Sequence, residues 1–187
     1  MQIGVLALQG AFAKHLKMLE RLGVKGREVR TAKDLVGLDG LIIPGGESST
    51  MLRLMNDEKL FEPLKEFVDS HPTFGTCAGA ILLAKEVKNP FQASLAAMDI
   101  TVERNSYGRQ IDSFTEEISA PSIGDKPLEL VFIRAPGITK VGETVTVLVS
   151  HQGHPVLVKE GKYLAATFHP ELTEDTRVHK LFLDTIT

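Results

Sequence analysis

Phe74-Gly75-Thr76-Cys77-Ala78-Gly79 holds the only cysteine of the chain between two glycines, in the pattern G-x-C-x-G. This is the thiol counterpart of the G-x-S-x-G nucleophile elbow, in which a strand turns sharply into a helix. Residues 72–74 have the apolar character of a strand end and residues 80–84 that of a first helical turn. The sulfur would therefore lie at a helix N-terminus, where the helix dipole favours a thiolate. A small buried cysteine at a tight turn would have the same local pattern, so a catalytic elbow requires partner residues elsewhere.

Apolar runs of strand length alternate with helical spacing before the elbow. The strand-like runs are 3–8, 24–29 and 39–44, and the helical segments are 12–22, a segment beginning near Ser49, and 60–68. Runs that are apolar throughout are typical of strands buried on both faces. This alternation predicts a parallel sheet with helices on both sides.

The pattern becomes largely β after about residue 95. Short strand-like runs separated by turn residues occur at 100–102, 114–118, 129–134, 145–149, 156–158 and 163–168. A last helix is expected from Thr173, with Glu174 and Asp175 in an acidic first turn. We predict an α/β fold: a single domain over residues 1–187, with a doubly wound, mostly parallel, flavodoxin-like mixed sheet and a β-rich second half.

Composition is that of an ordinary soluble globular protein, with 187 residues, 43% of them hydrophobic and 24% charged. The net charge of −3 gives no electrostatic reason to expect nucleic acid or an anionic membrane as a partner. One cysteine excludes an internal disulfide and suits a reducing compartment. Neither a signal-peptide pattern nor an apolar run of membrane-spanning length is present, so a cytoplasmic protein is expected.

A second motif, Phe168-His169-Pro170-Glu171, directly follows a predicted strand. Residues two apart in extended chain point to the same side, so His169 and Glu171 can stand together. Pro170 favours this, because a residue before proline is displaced from the helical region. A carboxylate beside an imidazole fixes its tautomer and stabilises the imidazolium. Alone, H-P-E is typical of a surface loop; combined with the elbow it indicates a Cys-His-Glu triad.

A glycine-rich segment, Pro44-Gly45-Gly46-Glu47-Ser48, follows the third predicted strand at its carboxyl end, where open α/β sheets bind ligands. The backbone N–H of Gly46, with that of Ala78 in the elbow, could form an oxyanion hole. A phosphate-binding loop is the rival interpretation, but G-x-x-x-x-G-K-[ST] is absent. A simple glycine turn before a helix is the third.

Two arginines, Arg104 and Arg134, stand in strand-like segments, and a guanidinium is suited to bidentate capture of a carboxylate. Surface arginines in ordinary ion pairs are the alternative. The spacing of His151 and His154 suggests a metal pair, but no ligand cluster supports one, so no metal or cofactor is expected and both are assigned to a turn. His15, His71 and His179 carry no functional signal.

These motifs together resemble the class I (triad) glutamine amidotransferases, and within them the glutaminase subunits of pyridoxal 5′-phosphate synthase. The likeness covers nearly the whole chain. One departure is the absence of a glycine near Ala96. The segments that carry the resemblance are 8–10, 44–51, 74–79, 102–110, 132–136 and 168–173.

The resemblance implies that the chain hydrolyses L-glutamine to glutamate and ammonia, and that a partner synthase subunit (PdxS) uses the ammonia to build vitamin B6. It implies Cys77 as the nucleophile, His169 as the general acid and base, and Glu171 as the residue that orients His169. The residues it implies for glutamine binding are Gly46, Glu47, Ser48, Arg104, Ile133 and Arg134.

Two other functions share part of this pattern. Cysteine hydrolases or stress proteins of the DJ-1/PfpI type have a similar elbow, but they typically place histidine directly after the cysteine, where this chain has Ala78. They would also leave His169-Pro170-Glu171 unexplained. A scaffold that kept the fold but lost activity is the third class, and the complete set of Cys77, His169 and Glu171 argues against it.

Overall fold

The computed structural model of the chain describes residues 1–106 and 113–186. Residues 107–110 of the motif at 102–110 therefore lie outside the described residues. Strands in the described ranges are β1 (Gln2–Leu6), β2 (Lys25–Val29), β3 (Gly40–Ile43), β4 (Thr73–Thr76), β5 (Ala84–Lys88), β6 (Met98–Glu103), β7 (Ser113–Ile118), β8 (Leu128–Ile133), β9 (Gly137–Val141), β10 (Thr146–His151), β11 (His154–Glu160) and β12 (Tyr163–Ala166).

Five α-helices lie within the same described ranges, and two short 3₁₀ turns accompany them, at Ala32–Leu35 and Pro170–Leu172. None of these helices is both long and apolar enough to cross a membrane. The helices are α1 (Phe12–Arg21), α2 (Ser48–Asp57), α3 (Phe61–Ser70), α4 (Ala78–Leu83) and α5 (Arg177–Leu183).

The main sheet has the order β10-β11-β12-β4-β3-β1-β2. The five strands from β12 to β2 are parallel, and β10 and β11 extend that sheet as an antiparallel edge. The order β2-β1-β3-β4-β12 is that of a flavodoxin-like doubly wound sheet. Two smaller sheets, β5-β6-β9 and β7-β8, come from the second half. The predicted fold class is confirmed.

Alternation along the central strands sends side chains into two separate apolar layers. Ile3 and Val5 of β1 pack in one layer with α1 and α5, whereas Leu6 packs in the other with α2, α3 and α4. All four residues of β4 are buried. Strand β4 therefore brings the elbow to the carboxyl edge of the sheet from a fully covered central position.

Two strands have no counterpart in the sequence prediction. Strand β5 begins directly after the six-residue helix α4, so the helix expected from Ala80 ends early. Charged residues supply three of the five positions of β5, and they weaken the strand pattern. Pairing with β6 and an ion pair between Lys85 and Asp99, 3.0 Å apart, compensate. Pro136 and the initial Gly137 conceal β9 in the same way. Ala96, where a glycine was expected, has φ 54, a backbone conformation that favours glycine.

The prediction of a last helix from Thr173 was wrong at its start. Helix α5 begins at Arg177, and the acidic residues precede it instead of forming its first turn. The Thr173 hydroxyl accepts the Asp175 N–H at 3.1 Å, and the Asp175 carboxylate accepts the Arg177 N–H at 2.9 Å. Such local side-chain bonds to the backbone compete with helix formation, so residues 173–176 form turns. His151 and His154 are also not turn residues; they end β10 and begin β11, and His151 is buried.

Candidate active site

Cys77 occupies the sharp turn between β4 and α4. Its backbone has φ 48 and ψ −103, a conformation that side chains with a Cβ rarely adopt. The Cys77 N–H donates to the Ala166 carbonyl of β12 at 2.8 Å, which ties the turn to the sheet. A Cβ on Gly79 would overlap the carbonyl oxygen of Ile43, and one on Gly75 would come 2.5 Å from the Gly79 backbone. The predicted elbow is present, and its two glycines are required by close backbone approach.

His169 and Glu171 stand together just beyond the end of β12. The distance between Nδ1 of His169 and Oε1 of Glu171 is 2.7 Å, and both residues are buried. The backbone N–H of His169 donates to the Val131 carbonyl of β8 at 2.8 Å, which holds the histidine in place. Glu171 lies in a 3₁₀ turn started by Pro170 and not in extended chain as expected. The predicted pairing is therefore present, but a proline-initiated turn produces it.

The electrostatics of the pair favour an imidazolium beside a carboxylate. Burial would lower the pKa of His169, but the neighbouring Cys77 and Glu171 outweigh burial and raise it to about 10. Burial also disfavours the Glu171 carboxylate, yet His15 and His169 lie against it and its pKa is lowered. The Nε2 of His169 has no acceptor at hydrogen-bond geometry within the described chain. It is the ring nitrogen left to exchange a proton with Cys77 or a substrate.

The Gly45–Gly46 peptide lies beside the elbow. The Gly45 carbonyl accepts the Ala11 N–H at 3.0 Å, so in a trans peptide the Gly46 N–H points away from the turn at residues 9–11. A Cβ on Gly45 would overlap the His169 ring, which shows how closely the segment approaches the triad. Ala78 is the first residue of α4, so its N–H has no acceptor within the helix. Both predicted oxyanion donors are thus on segments that flank Cys77.

Glu47 caps the N-terminus of α2 and binds Arg104. Its carboxylate accepts the Thr50 N–H at 2.9 Å and lies 3.0 Å from Nη2 of Arg104. Burial alone would raise the pKa of Glu47, but hydrogen bonds from Ser49 and Thr50 and the charge of Arg104 lower it to about 2. The Glu47 N–H donates to Oε1 of Gln9 at 2.9 Å. The carboxylate is therefore ionised at all physiological pH values and fixed in direction.

A pocket of about 270 Å³ joins these parts. Six predicted glutamine-binding residues line it together with Cys77 and His169, while Glu171 lies behind His169 and Ala78 beneath the elbow. Ser48 is fixed by a 3.0 Å hydrogen bond to Gln92, and the Ile133 carbonyl is 4.0 Å from the Cys77 sulfur. The lining residues are Gln9, Gly46, Glu47, Ser48, Cys77, Ile81, Arg104, Asn105, Ile133, Arg134 and His169.

Sequence reasoning did not assign three of the lining residues, Gln9, Ile81 and Asn105. Gln9 and Asn105 lie within the motif segments 8–10 and 102–110, and that membership was the available signal. It also missed His15, which is fully buried against Glu171. His15 lies on the apolar face of α1 with Phe12 and Leu19, where a histidine requires a buried partner.

Comparison with known proteins agrees with this geometry. The model of the SNO glutamine amidotransferase family matches residues 5–187. A relative from Koribacter versatilis, named pyridoxal 5′-phosphate synthase subunit PdxT, is 58% identical over 98% of this chain and 94% of its own. A relative of the same name from Thermotoga neapolitana is 50% identical over the full length of both. A crystal structure of a glutamine amidotransferase superposes with a TM-score of 0.91 at 46% identity, covering 98% of each chain.

Proposed function

The chain belongs to the SNO glutamine amidotransferase family, and on that premise we propose that it is the glutaminase subunit of a pyridoxal 5′-phosphate synthase. It hydrolyses L-glutamine to L-glutamate and ammonia. The ammonia passes to a synthase subunit, PdxS, within a hetero-oligomeric complex that makes vitamin B6. The 187 residues act as one glutaminase domain without a cofactor of their own.

The observation that carries this proposal is the 2.7 Å pair of His169 and Glu171 beside Cys77, with His169 and Cys77 lining one pocket. Cys77 attacks the side-chain amide carbon of glutamine, and the oxyanion that forms is stabilised by the N–H groups of Gly46 and Ala78. His169 protonates the departing nitrogen and the C–N bond breaks. Ammonia is released, and the γ-glutamyl group remains bound to Cys77 as a thioester.

Water then completes the reaction. His169 is neutral after it has given up its proton, and its Nε2 accepts a proton from the attacking water. The water oxygen bonds to the thioester carbon, the C–S bond breaks and glutamate is released. His169 and the Cys77 sulfur then share this proton again, as they did before the reaction. The balance is glutamine and water in, glutamate and ammonia out.

The charged and polar residues that line the pocket select glutamine. Arg104 lies beside Glu47, so the two supply a paired positive and negative charge near the mouth. Arg134 is exposed at the same pocket, with φ 41. A site that pairs its buried polar groups with one substrate rejects analogues that leave those groups unpaired.

Removal of these arginine charges should weaken glutamine binding. Arg104→Met and Arg134→Met, each placed in an inactive Cys77→Ala background, remove a charge-assisted contact worth on the order of 1.5–3 kcal/mol. We expect at least one of them to raise the dissociation constant for glutamine roughly 10- to 150-fold, as measured by calorimetry.

Arg53→Met is the matched control, because Arg53 is exposed on α2 and does not line the pocket. It should leave glutamine affinity unchanged. Wild-type affinity in both pocket variants would refute the assignment of Arg104 and Arg134 to substrate binding.

Activity should depend on the synthase subunit. The direction of the Gly46 N–H follows from one hydrogen bond, between the Gly45 carbonyl and the Ala11 N–H of a partly exposed turn. Rotation of that peptide would remove an oxyanion donor, which costs about 2.7–4 kcal/mol of transition-state stabilisation. A partner that contacts this turn can bias the two orientations. We expect ammonia release at saturating glutamine to be at least roughly tens of times faster with the synthase subunit than without it.

Two glycine variants give this experiment a control. Gly10 and Gly23 both have positive φ, but only at Gly10 would a Cβ overlap the Gly45 carbonyl oxygen. Gly10→Ala should therefore reduce the activated rate, and Gly23→Ala should not. Equal turnover with and without the synthase subunit would indicate a constitutive glutaminase and exclude the switch. Absence of glutaminase activity under both conditions would overturn the proposed function itself.

A further inference from the structure

Behind Glu171, a chain of buried polar side chains leads away from the pocket. Nε2 of His15 lies 3.5 Å from Oε2 of Glu171 and 3.1 Å from Oγ1 of Thr76. On the other side of the ring, Nδ1 of His15 lies 2.9 Å from Nε2 of His179. His15, Thr76 and His179 are all fully inaccessible to solvent. The steps of the glutaminase reaction described above do not use either histidine.

Chemistry fixes how the protons are arranged in this chain. Burial lowers the pKa of both His15 and His179, so both rings are neutral and each carries one N–H. The Glu171 carboxylate can only accept, so the His15 nitrogen that faces it must be the protonated one. Nδ1 of His15 is then an acceptor, and the ring nitrogen beside it, Nε2 of His179, must donate. The His179 N–H therefore donates to His15, and the His15 N–H points toward Glu171 and Thr76.

We propose that His15 is a positioning residue for the reaction: its Nε2–H keeps Glu171 ionised and directed at His169, and its Nδ1 accepts the N–H of His179. This inference rests on the proposed glutaminase function. It adds an element that the triad lacks: an N–H 3.5 Å from the outer carboxylate oxygen, which has no hydrogen-bond partner within the described chain.

The contribution is greatest when His169 is neutral. Once His169 has protonated the leaving ammonia, Glu171 is a buried carboxylate without a cationic partner, and burial favours its protonation. A protonated Glu171 would hold the Nδ1–H of His169 more weakly, because its acceptor oxygen would carry no charge, and Nε2 would be less well aligned toward the attacking water. The N–H of His15 opposes that protonation. Hydrolysis of the thioester should therefore be the step that depends on His15.

The titratable groups around Glu171 come from four elements. His15 faces it from α1, with His179 of α5 behind it, and His169 faces it from the segment after β12. Cys77 at the start of α4 acts through its contact with His169. Because His15 and His179 are neutral, His169 and Cys77 are the members of this set whose charge changes during the reaction.

The first test needs only the wild-type chain. Two-dimensional ¹H–¹⁵N spectra of the imidazole rings distinguish the two neutral tautomers of a histidine. At pH 7 we expect both His15 and His179 as the Nε2–H tautomer, neither of them titrating between pH 6 and 8. A His15 ring protonated on Nδ1 instead would overturn the proposal. The result does not depend on glutaminase activity, so it is independent of whether the proposed function holds.

The second test uses a matched pair of variants, assayed with the synthase subunit bound. His15→Gln keeps an amide donor at the position of Nε2, toward Glu171, whereas His15→Asn keeps one only at the position of Nδ1, toward His179. We expect His15→Asn to lower kcat roughly 10-fold, as for loss of one hydrogen bond to a charged group, with KM unchanged. In His15→Asn, the pH at which kcat falls on the acidic side should rise by about one unit. In His15→Gln, most of kcat should be retained and that pH should stay as in wild type.

A purely structural role for His15 predicts a different outcome. Both variants would then lose activity equally and the acidic limb would not move, and that result would overturn the proposal. If His15→Asn does not fold, the tautomer of His15 in the wild-type chain decides the question. An Nε2–H ring supports the proposal, and an Nδ1–H ring overturns it.

Discussion

Replacement of Cys77 by alanine should lower the turnover of glutamine by roughly five to six orders of magnitude, as deletion of the nucleophile does in other triads. The chain contains no other cysteine, so no second thiol can substitute. The elbow geometry, fixed by the bond from the Cys77 N–H to the Ala166 carbonyl, does not depend on the sulfur. Alanine also fits the small buried site, so we expect the fold to persist.

The measurement is ammonia release at saturating glutamine with the synthase subunit present. Thermal unfolding and glutamine binding by calorimetry are the controls, and both should remain close to wild type because the pocket is otherwise intact. A folded Cys77→Ala protein with ordinary glutaminase activity would remove Cys77 from the mechanism. If the variant also loses glutamine binding, the cause of its inactivity would be a disrupted pocket and not the missing nucleophile.

The sequence predicted the parts of the site that depend on local pattern. The elbow at Cys77 and the motif at His169 each follow a buried strand, and parallel strands end at one edge of the sheet. The position of Arg104 near the pocket could be expected from its motif, but its bond to Glu47 could not. That pair joins residues 57 positions apart, and Arg104 directly follows β6, which belongs to a separate small sheet.

Burial explains why His15 escaped notice. In the sequence it is one polar residue among the apolar positions of an amphipathic helix, a pattern that predicts packing against the sheet but not which residue packs there. Glu171 meets it only after the chain has crossed to β12 and turned at Pro170. The start of α5 was misplaced for a related reason, because the turn bonds of Thr173 and Asp175 override an acidic pattern that otherwise indicates a helix.

Replacement of Glu171 by glutamine should lower kcat by roughly three to four orders of magnitude, less than loss of Cys77, because the nucleophile and base remain while the imidazole loses its orientation and charge partner. The pKa of His169, raised to about 10 in part by Glu171, should fall in the variant, since burial then opposes only the contact with Cys77. Ring ¹⁵N shifts of His169 across the pH range measure this directly. Glu174→Gln is the control, because its carboxylate is exposed in a surface pair with Arg21.

The same change predicts how stability depends on pH. The raised pKa of His169 stabilises the fold fully below its ordinary value of 6.5, and this contribution is lost as the pH rises through about 10. The lowered pKa of Glu171 contributes above its ordinary value of 4.5 and is lost as the pH falls through the lowered value. The difference in free energy of unfolding between wild type and Glu171→Gln should therefore be largest near neutral pH and shrink steadily as the pH rises from 7 to about 10, as measured by urea denaturation. A difference that stays constant from pH 7 to 10.5 would contradict an ion pair between His169 and Glu171, because a neutral contact has no such dependence.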